Sequence, residues 1–212
     1  MNGFISYIDI LNKLLPDITA SPELHARWLN TLSYLENCGA RKIAACEHPF
    51  LVEREMLKHA AEEFRHAHYL KRQIEKISAK PMENYSLPYL LGGSASWRYL
   101  SLLDLKTCRY LSKDVGLNDG AMREAAYLLV TYAIELRAGE LYPCYDDVLR
   151  KLGSKVAVKS ILLEEKEHLH EMREALLKLP DGLAHAEKIC AFESELCKKW
   201  LHAVSFEVHA GF

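Results

Sequence analysis

The sequence predicts an all-α fold, with a single helical domain spanning residues 1–212. Two observations support this prediction. Apolar residues make up 50% of the chain and only 10 Gly and 7 Pro interrupt it, so long helices can form. The motif Glu-Glu-x-x-His also occurs twice, at residues 62–66 and 164–168, each time within a strongly helical stretch. Residues three apart share one face of a helix, so each motif presents a carboxylate and an imidazole together.

Helical periodicity and its interruptions predict seven helices. They are a short helix at 3–15, four bundle helices near 23–45, 50–78, 120–151 and 155–178, a helix near 95–113 inside the long connection 79–120, and a final helix near 184–206. The stretch around Pro16 is read as the first break, and Ser21 as the N-cap of the second helix, because proline follows it at a position that favours a helix start. A turn ending at Pro49 separates the first two bundle helices.

A Glu-x-x-His set also arises by chance, so the helix face on which each motif lies decides whether it is a candidate metal site. Glu165 and His168 share a face with apolar residues, namely Val158, Ile161, Leu162, Leu169, Met172 and Leu176. Glu63 and His66 likewise share a face with Val52, Met56, Ala60, Ala67 and Leu70. A third set, Glu167-x-x-His170, has polar neighbours and is predicted to be solvated. Charged groups on an apolar face are costly to bury unless they are paired or bind a cation. Buried ion pairs are the alternative interpretation.

Each helix that precedes a motif helix is expected to place a further carboxylate on its core-facing side. In the first hairpin the candidate is Glu36, whose helical neighbours are apolar and which is about as far from the turn as Glu63. In the second hairpin there are two candidates, Glu135 and Glu140. Counting residues to the turn at Gly153 favours Glu140, but Gly139 and Pro143 are expected to interrupt or kink this helix, which makes such counting unreliable.

The order Glu, Glu-x-x-His, Glu, Glu-x-x-His resembles that of the ferritin-like di-iron carboxylate superfamily, which includes ferritins, rubrerythrins, aldehyde-deformylating oxygenases and a tRNA-modifying hydroxylase. The resemblance covers residues 23–178 and implies a four-helix bundle with one long crossover and additional N- and C-terminal helices. Its spacing favours Glu135 over Glu140. The metal ligands that it implies are Glu36, Glu63, His66, Glu135, Glu165 and His168. Residues 134–140 also resemble the corresponding stretch of the tRNA hydroxylase.

Carboxylate and imidazole donors suit iron or manganese, so two Fe ions are expected, with Mn as the alternative. We therefore expect a di-iron oxidase or oxygenase that acts with O2 and an electron donor on a small organic substrate. An iron-handling or peroxide-scavenging protein without an organic substrate is the alternative, and a catalytically inactive interaction domain is a third reading. His59, one turn before Glu63, is expected to be a neighbour of the ligands rather than a ligand. Tyr132, one turn before Glu135, is a candidate hydrogen-bond donor, although core packing is favoured.

Charge and composition narrow the range of partners. The formal net charge of -2 gives no overall field that would attract nucleic acid or an acidic membrane. Apolar runs are too short to span a bilayer, and the N-terminal residues lack the basic segment of a secretory signal. The six cysteines are scattered without Cys-x-x-Cys spacing, which is typical of reduced thiols in a cytoplasmic protein. A monomer or homodimer is expected rather than a storage cage.

Overall fold

A computed structural model describes residues 3–210, and these residues form seven α-helices with no strand among them. The all-α class predicted from the sequence is therefore confirmed. The helices, in chain order, are α1 (Ile8–Ala20), α2 (Pro22–Cys46), α3 (Arg54–Ile74), α4 (Gly93–Tyr110), α5 (Asp119–Lys151), α6 (Lys159–Leu176) and α7 (Gly182–His209). A 3₁₀ turn at Leu87–Tyr89 precedes α4, and a π turn at Leu111–Val115 follows it.

Two helix pairs form the frame that positions the buried acidic residues. Helices α2 and α3 pack along each other in antiparallel fashion: Ser33 Oγ donates to the carbonyl oxygen of Ala67 at 2.6 Å, and Lys71 donates to Asn30. Helices α5 and α6 form the second pair. The two pairs pack against each other between α2 and α5, and side chains also connect α3 to α6, where Lys58 Nζ donates to a carboxylate oxygen of Glu171 at 2.9 Å. Residues 75–118, which include α4, connect one pair to the other.

The expected break at Pro16 is not observed. The first helix was predicted at 3–15, but α1 runs from Ile8 to Ala20 with Pro16 inside it. Proline in a helix costs a backbone hydrogen bond, yet here it lies on the exposed face. The opposite face buries four residues at helical spacing, Leu11, Leu14, Leu15 and Ile18. Burial of this continuous apolar face offsets the local cost. The predicted cap of the next helix is confirmed, because Ser21 Oγ accepts from the N–H of Leu24.

Helix α3 begins later than predicted, at Arg54 rather than near residue 50. The N–H groups of Phe50 and Leu51 donate to Nδ1 of His48 at 3.2 Å and 3.0 Å, which stabilises a turn in place of the first helical residues. Val52 is 70% exposed. It therefore does not share the buried face of Glu63, as the periodicity had suggested. The helix also ends at Ile74, four residues before the predicted end.

The interruption expected at Gly139 and Pro143 is also not observed. Helix α5 is helical from Asp119 to Lys151, through both Gly139 and Pro143. A proline ring in a helix crowds the carbonyl of the residue four positions earlier, which here is Gly139. Residues beyond the proline, such as Tyr145 and Leu149, are buried in the core and hold the last turns of the helix in place. Within residues 3–210, no helix combines the length and the apolar character that crossing a membrane requires.

Candidate metal centre

Buried carboxylates and imidazoles converge between the two helix pairs in two groups that share Glu63. In each group the potential donor atoms lie within 4.8 Å of one another. The first group contains His59, Glu63, Glu135 and His168, and the second contains Glu36, Glu63, His66 and Glu165. All six residues predicted as ligands belong to these groups. The structure adds His59, which the sequence had suggested only as a neighbour.

Helix α3 contributes three of these side chains from a single face. His59, Glu63 and His66 follow one another at steps of four and three residues, so they point in the same direction. The side chains of His59, Glu63 and His66 are 2%, 8% and 3% exposed. By contrast, Glu167 and His170 of the third Glu-x-x-His set are exposed, which confirms that this set lies on the solvent face of α6.

Five polar atoms of the two groups are buried and make no hydrogen bond of good geometry to the described residues, although two of them, His66 Nδ1 and Glu165 Oε1, lie 3.1 Å apart. The five atoms are Glu63 Oε1, His66 Nδ1, Glu135 Oε2, Glu165 Oε1 and His168 Nδ1. A buried polar atom without a partner usually costs about 1–3 kcal/mol, and such atoms are rare in folded proteins. Five in one place indicate that another group completes the hydrogen bonding or coordination. Lone pairs of oxygen and nitrogen that face one another suit a cation.

The first glutamate of each motif holds the histidine of the other motif. Glu62 Oε2 lies 2.8 Å from Nε2 of His168, and Glu164 Oε2 lies 2.7 Å from Nε2 of His66. Arg65 in turn donates to Glu164 at 2.7 Å. Each imidazole thus uses Nε2 for a carboxylate and turns Nδ1 towards the buried group. No role was predicted for these outer glutamates, although the doubled Glu in both motifs is a signal that could have revealed them.

His59 links the first group to Tyr127, a residue for which no role was predicted. Its Nε2 atom lies 3.1 Å from Oε1 of Glu135 and 3.4 Å from Oε1 of Glu63. Its Nδ1 atom lies 3.3 Å from the hydroxyl of Tyr127. In the second group the hydroxyl of Tyr142 donates to Glu36. Each group therefore has one tyrosine hydroxyl at its edge.

Two other residues considered at the sequence level lie elsewhere. Glu140 is buried, but its carboxylate accepts hydrogen bonds from Arg137, from the hydroxyl of Ser6 and from the N–H of Tyr7. It anchors the N-terminal segment to α5 and lies in neither group. Tyr132 is fully buried in the hydrophobic core and is not among the residues that line the groups. Of the two candidates on α5, the structure brings Glu135 alone to the other acidic residues.

The close packing of carboxylates dominates the electrostatics. Burial and the charge of Glu63 raise the pKa of Glu36 well above its usual range, and burial with the charge of Glu135 does the same for Glu165. Burial, together with Glu63, raises the pKa of Glu135 to about 8. Burial alone would lower the pKa of His66, but its contacts with Glu165 raise it to about 9. Like charges held this close favour any positive charge placed among them.

A largely apolar cavity of about 110 Å³ opens beside the two groups. Carboxylates of both groups line it, together with apolar side chains from three helices, namely Leu32, Leu35 and Ile43 of α2, Leu100 of α4, and Val130, Ile134 and Leu141 of α5. Lys42 and Asp104, both of which line the cavity, form a half-exposed ion pair at 2.5 Å. Tyr99 and Trp200 also line this cavity.

Comparison with known proteins adds no further assignment. No family model, no curated protein and no solved structure matches this chain.

Proposed function

We propose that this chain is a ferritin-like di-iron carboxylate protein that activates O2 to oxidise a small organic substrate. In this proposal α2, α3, α5 and α6 are the four bundle helices, and residues 75–118 are the long crossover. The observation that carries the proposal is the convergence of glutamate and histidine donor atoms in two groups that share Glu63. Five of these atoms are buried and lack a well-formed hydrogen bond among the described residues. Carboxylate and imidazole donors without thiolates fit iron, with manganese as the alternative.

Two groups that share one glutamate fit a pair of ions. The group of His59, Glu63, Glu135 and His168 would hold one ion, and that of Glu36, Glu63, His66 and Glu165 the other, with Glu63 common to both. The ions, when bound, would supply the electrons that reduce O2. An electron donor would then be required to reduce the oxidised ions again. Both motif histidines present Nδ1, because Nε2 is held by the outer glutamate of the opposite helix.

The remaining residues would arrange the surroundings of the reaction. The apolar walls of the cavity exclude water and accommodate a substrate with an apolar body. The hydroxyl of Tyr142 donates to Glu36 and so holds a proton beside the second group. Tyr127 performs the corresponding role for His59 in the first group. The cavity favours an organic substrate over the alternative of iron handling or peroxide scavenging, for which no apolar chamber is needed.

Metal analysis and O2 uptake test the proposal directly. Protein purified without metal and loaded anaerobically with Fe(II) should bind two ions per chain and then consume O2. Near-ultraviolet absorption of carboxylate-bound ferric iron should develop, without the intense visible band of iron bound to thiolate. Glu135→Ala should impair uptake far more than the exposed control Glu167→Ala. An iron-loaded protein that reacts with neither O2 nor peroxide would contradict the redox function, and a protein that binds no iron would contradict the site.

A further inference from the structure

A continuous row of aromatic side chains leads away from the cavity through the core. Tyr99 stacks on Trp200, with ring centroids 5.2 Å apart and planes inclined by 20°. Trp200 stacks on Trp28 at 5.7 Å and 8°. Trp28 then meets the edge of Tyr145 at 6.3 Å and 87°. Each of the four rings is at most 3% exposed. The row joins helices α4, α7, α2 and α5, so it depends on the tertiary fold.

The two ends of this row lie at different places in the molecule. Tyr99 and Trp200 line the same cavity as the carboxylates of the candidate metal centre. At the other end, the hydroxyl of Tyr145 lies 2.6 Å from Nε2 of His25. His25 forms part of the wall of a separate surface depression, together with Thr19 and Leu152. His25 itself is only 4% exposed, so the row runs from the cavity to a residue just beneath this depression.

Each terminal tyrosine has a proton acceptor in place. The hydroxyl of Tyr99 donates to the buried carboxylate of Glu193, which Arg137 holds by two hydrogen bonds of 2.8 Å. Burial lowers the pKa of His25 to about 4, so this imidazole is neutral near pH 7 and can accept the proton of Tyr145. A phenol loses an electron readily only when its proton can leave at the same time.

We propose that four side chains, Tyr145, Trp28, Trp200 and Tyr99, form an electron-transfer chain between the surface depression beside His25 and the cavity of the candidate metal centre. The proposal rests on the di-iron function proposed above. The role of the electron-transfer chain is to reduce a strong oxidant that forms from O2 or peroxide when no substrate occupies the cavity. Tyrosine and tryptophan release electrons only to strong oxidants, so the chain stays inactive at other times.

The step balances in electrons and protons. The oxidant at the site gains one electron from Tyr99, whose O–H bond breaks as its proton passes to Glu193. The Tyr99 radical takes an electron from Trp200 and recovers its proton from Glu193. Trp200 is reduced in turn by Trp28, and Trp28 by Tyr145. Tyr145 gives its proton to His25 as it loses its electron. A one-electron reductant of the ascorbate class at the surface then reduces the Tyr145 radical, and the proton returns from His25. The net result is one electron transferred from the reductant to the site.

The first test uses metal-free protein and is therefore independent of the iron chemistry. The chain has three tryptophans, so in the Trp97→Phe variant only the two members of the aromatic row remain. A laser pulse that photoionises tryptophan should be followed by first-order growth of tyrosyl absorption, at a rate independent of protein concentration. The Tyr99→Phe/Tyr145→Phe double variant should lose this phase, whereas Tyr132→Phe, a buried control, should retain it. Absence of the phase in folded Trp97→Phe protein would overturn the proposal.

The second test addresses the connection to the metal centre. Iron-loaded protein exposed to O2 without substrate should yield a tyrosyl signal in electron paramagnetic resonance. Ascorbate should remove that signal more slowly in Trp28→Phe and Tyr145→Phe than in the wild type or Tyr132→Phe. Equal rates in all four proteins, or O2 consumption without a tyrosyl signal, would overturn the connection. Failure to bind iron would be evident from metal analysis and would overturn the link to a di-iron function separately from the photoionisation result.

Discussion

Glu62 on α3 and His168 on α6 lie 2.8 Å apart, measured between Oε2 and Nε2, and this contact determines which nitrogen of the imidazole is available. A neutral imidazole that donates from Nε2 has its lone pair on Nδ1. That atom lies 3.5 Å from Oε1 of Glu63 and 3.7 Å from Oε1 of Glu135. Glu164 has the corresponding relationship with His66. The two motifs are thus interlocked, since each one orients the donor of the other.

Removal of an outer glutamate should weaken metal binding without removing a proposed ligand. We expect Glu62→Ala to lower the affinity for Fe(II) by about 10- to 100-fold, because His168 loses the partner that fixes its orientation and basicity. Competition titration with a chelating dye measures the change. Glu167→Ala on the exposed face of α6 is the matched control and should leave the affinity unchanged. Equal affinities in Glu62→Ala and wild type would contradict an orienting role for this carboxylate.

The position of Glu63 in both groups predicts a difference in stoichiometry between variants. Glu63→Ala should abolish binding of both ions, because each site loses a carboxylate. Glu135→Ala should weaken one site and leave the group of Glu36, His66 and Glu165 with its donors. Metal analysis after equilibrium dialysis should therefore give close to no ions for the first variant and about one per chain for the second. If the two variants retain the same number of ions, Glu63 does not serve both sites.

Two neighbouring glutamates on α7 provide a test of burial. Glu193 is fully buried and bonded to Arg137 and Tyr99, whereas Glu195 is 62% exposed and pairs with Lys106. We expect Glu193→Ala to lower the free energy of unfolding by about 3–5 kcal/mol, because it breaks a buried ion pair. Glu195→Ala should cost less than about 1 kcal/mol, because water already screens its ion pair. Urea unfolding monitored by circular dichroism measures both. Similar decreases in the free energy of unfolding for the two variants would contradict the expected difference between the buried and the exposed ion pair.

Acid should destabilise the fold through His25. Its pKa is about 4 in the folded protein, because burial disfavours the charged form, compared with 6.5 when unfolded. Between these values the unfolded chain binds more protons, so stability falls as the pH decreases from 6.5 to 4 and then levels off. The contribution is about 3 kcal/mol, at roughly 1.4 kcal/mol for each unit of pKa. His25→Gln, which can still accept from Tyr145, should lose this part of the pH dependence. Parallel stability curves for the two proteins would contradict it.

Local pattern in the sequence was sufficient to predict much of the candidate centre. Glu63 with His66, and Glu165 with His168, lie three residues apart, and the apolar neighbours of each pair showed that its face is buried. Glu36 followed from the same argument on α2. The burial of these faces could be predicted because helix geometry relates sequence spacing directly to direction in space. Whether these residues bind metal remains a prediction that the metal analyses test.

The ends of the helices and the effect of the prolines on helix continuity were harder to predict from the sequence. Pro16 was expected to end the first helix, and Pro143 to interrupt or kink the helix predicted at 120–151, yet both lie inside continuous helices. The local cost of a proline is a few kcal/mol, and burial of the residues on either side offsets it. The late start of α3 has a different cause, a turn held by the ring of His48. Competition between a local preference and the packing of distant residues cannot be decided from a short window of sequence.

The sequence by itself determined which residues share a helix face and therefore which carboxylates and imidazoles are buried together. The tertiary structure alone decided which residues meet across helices. It paired Glu62 with His168, directed Glu140 to the N-terminal segment rather than to the centre, and aligned Trp28 with Trp200. Such contacts depend on the rotation and longitudinal register of one helix against another. Those quantities are set by the packing of the whole core, and no spacing within a single helix encodes them.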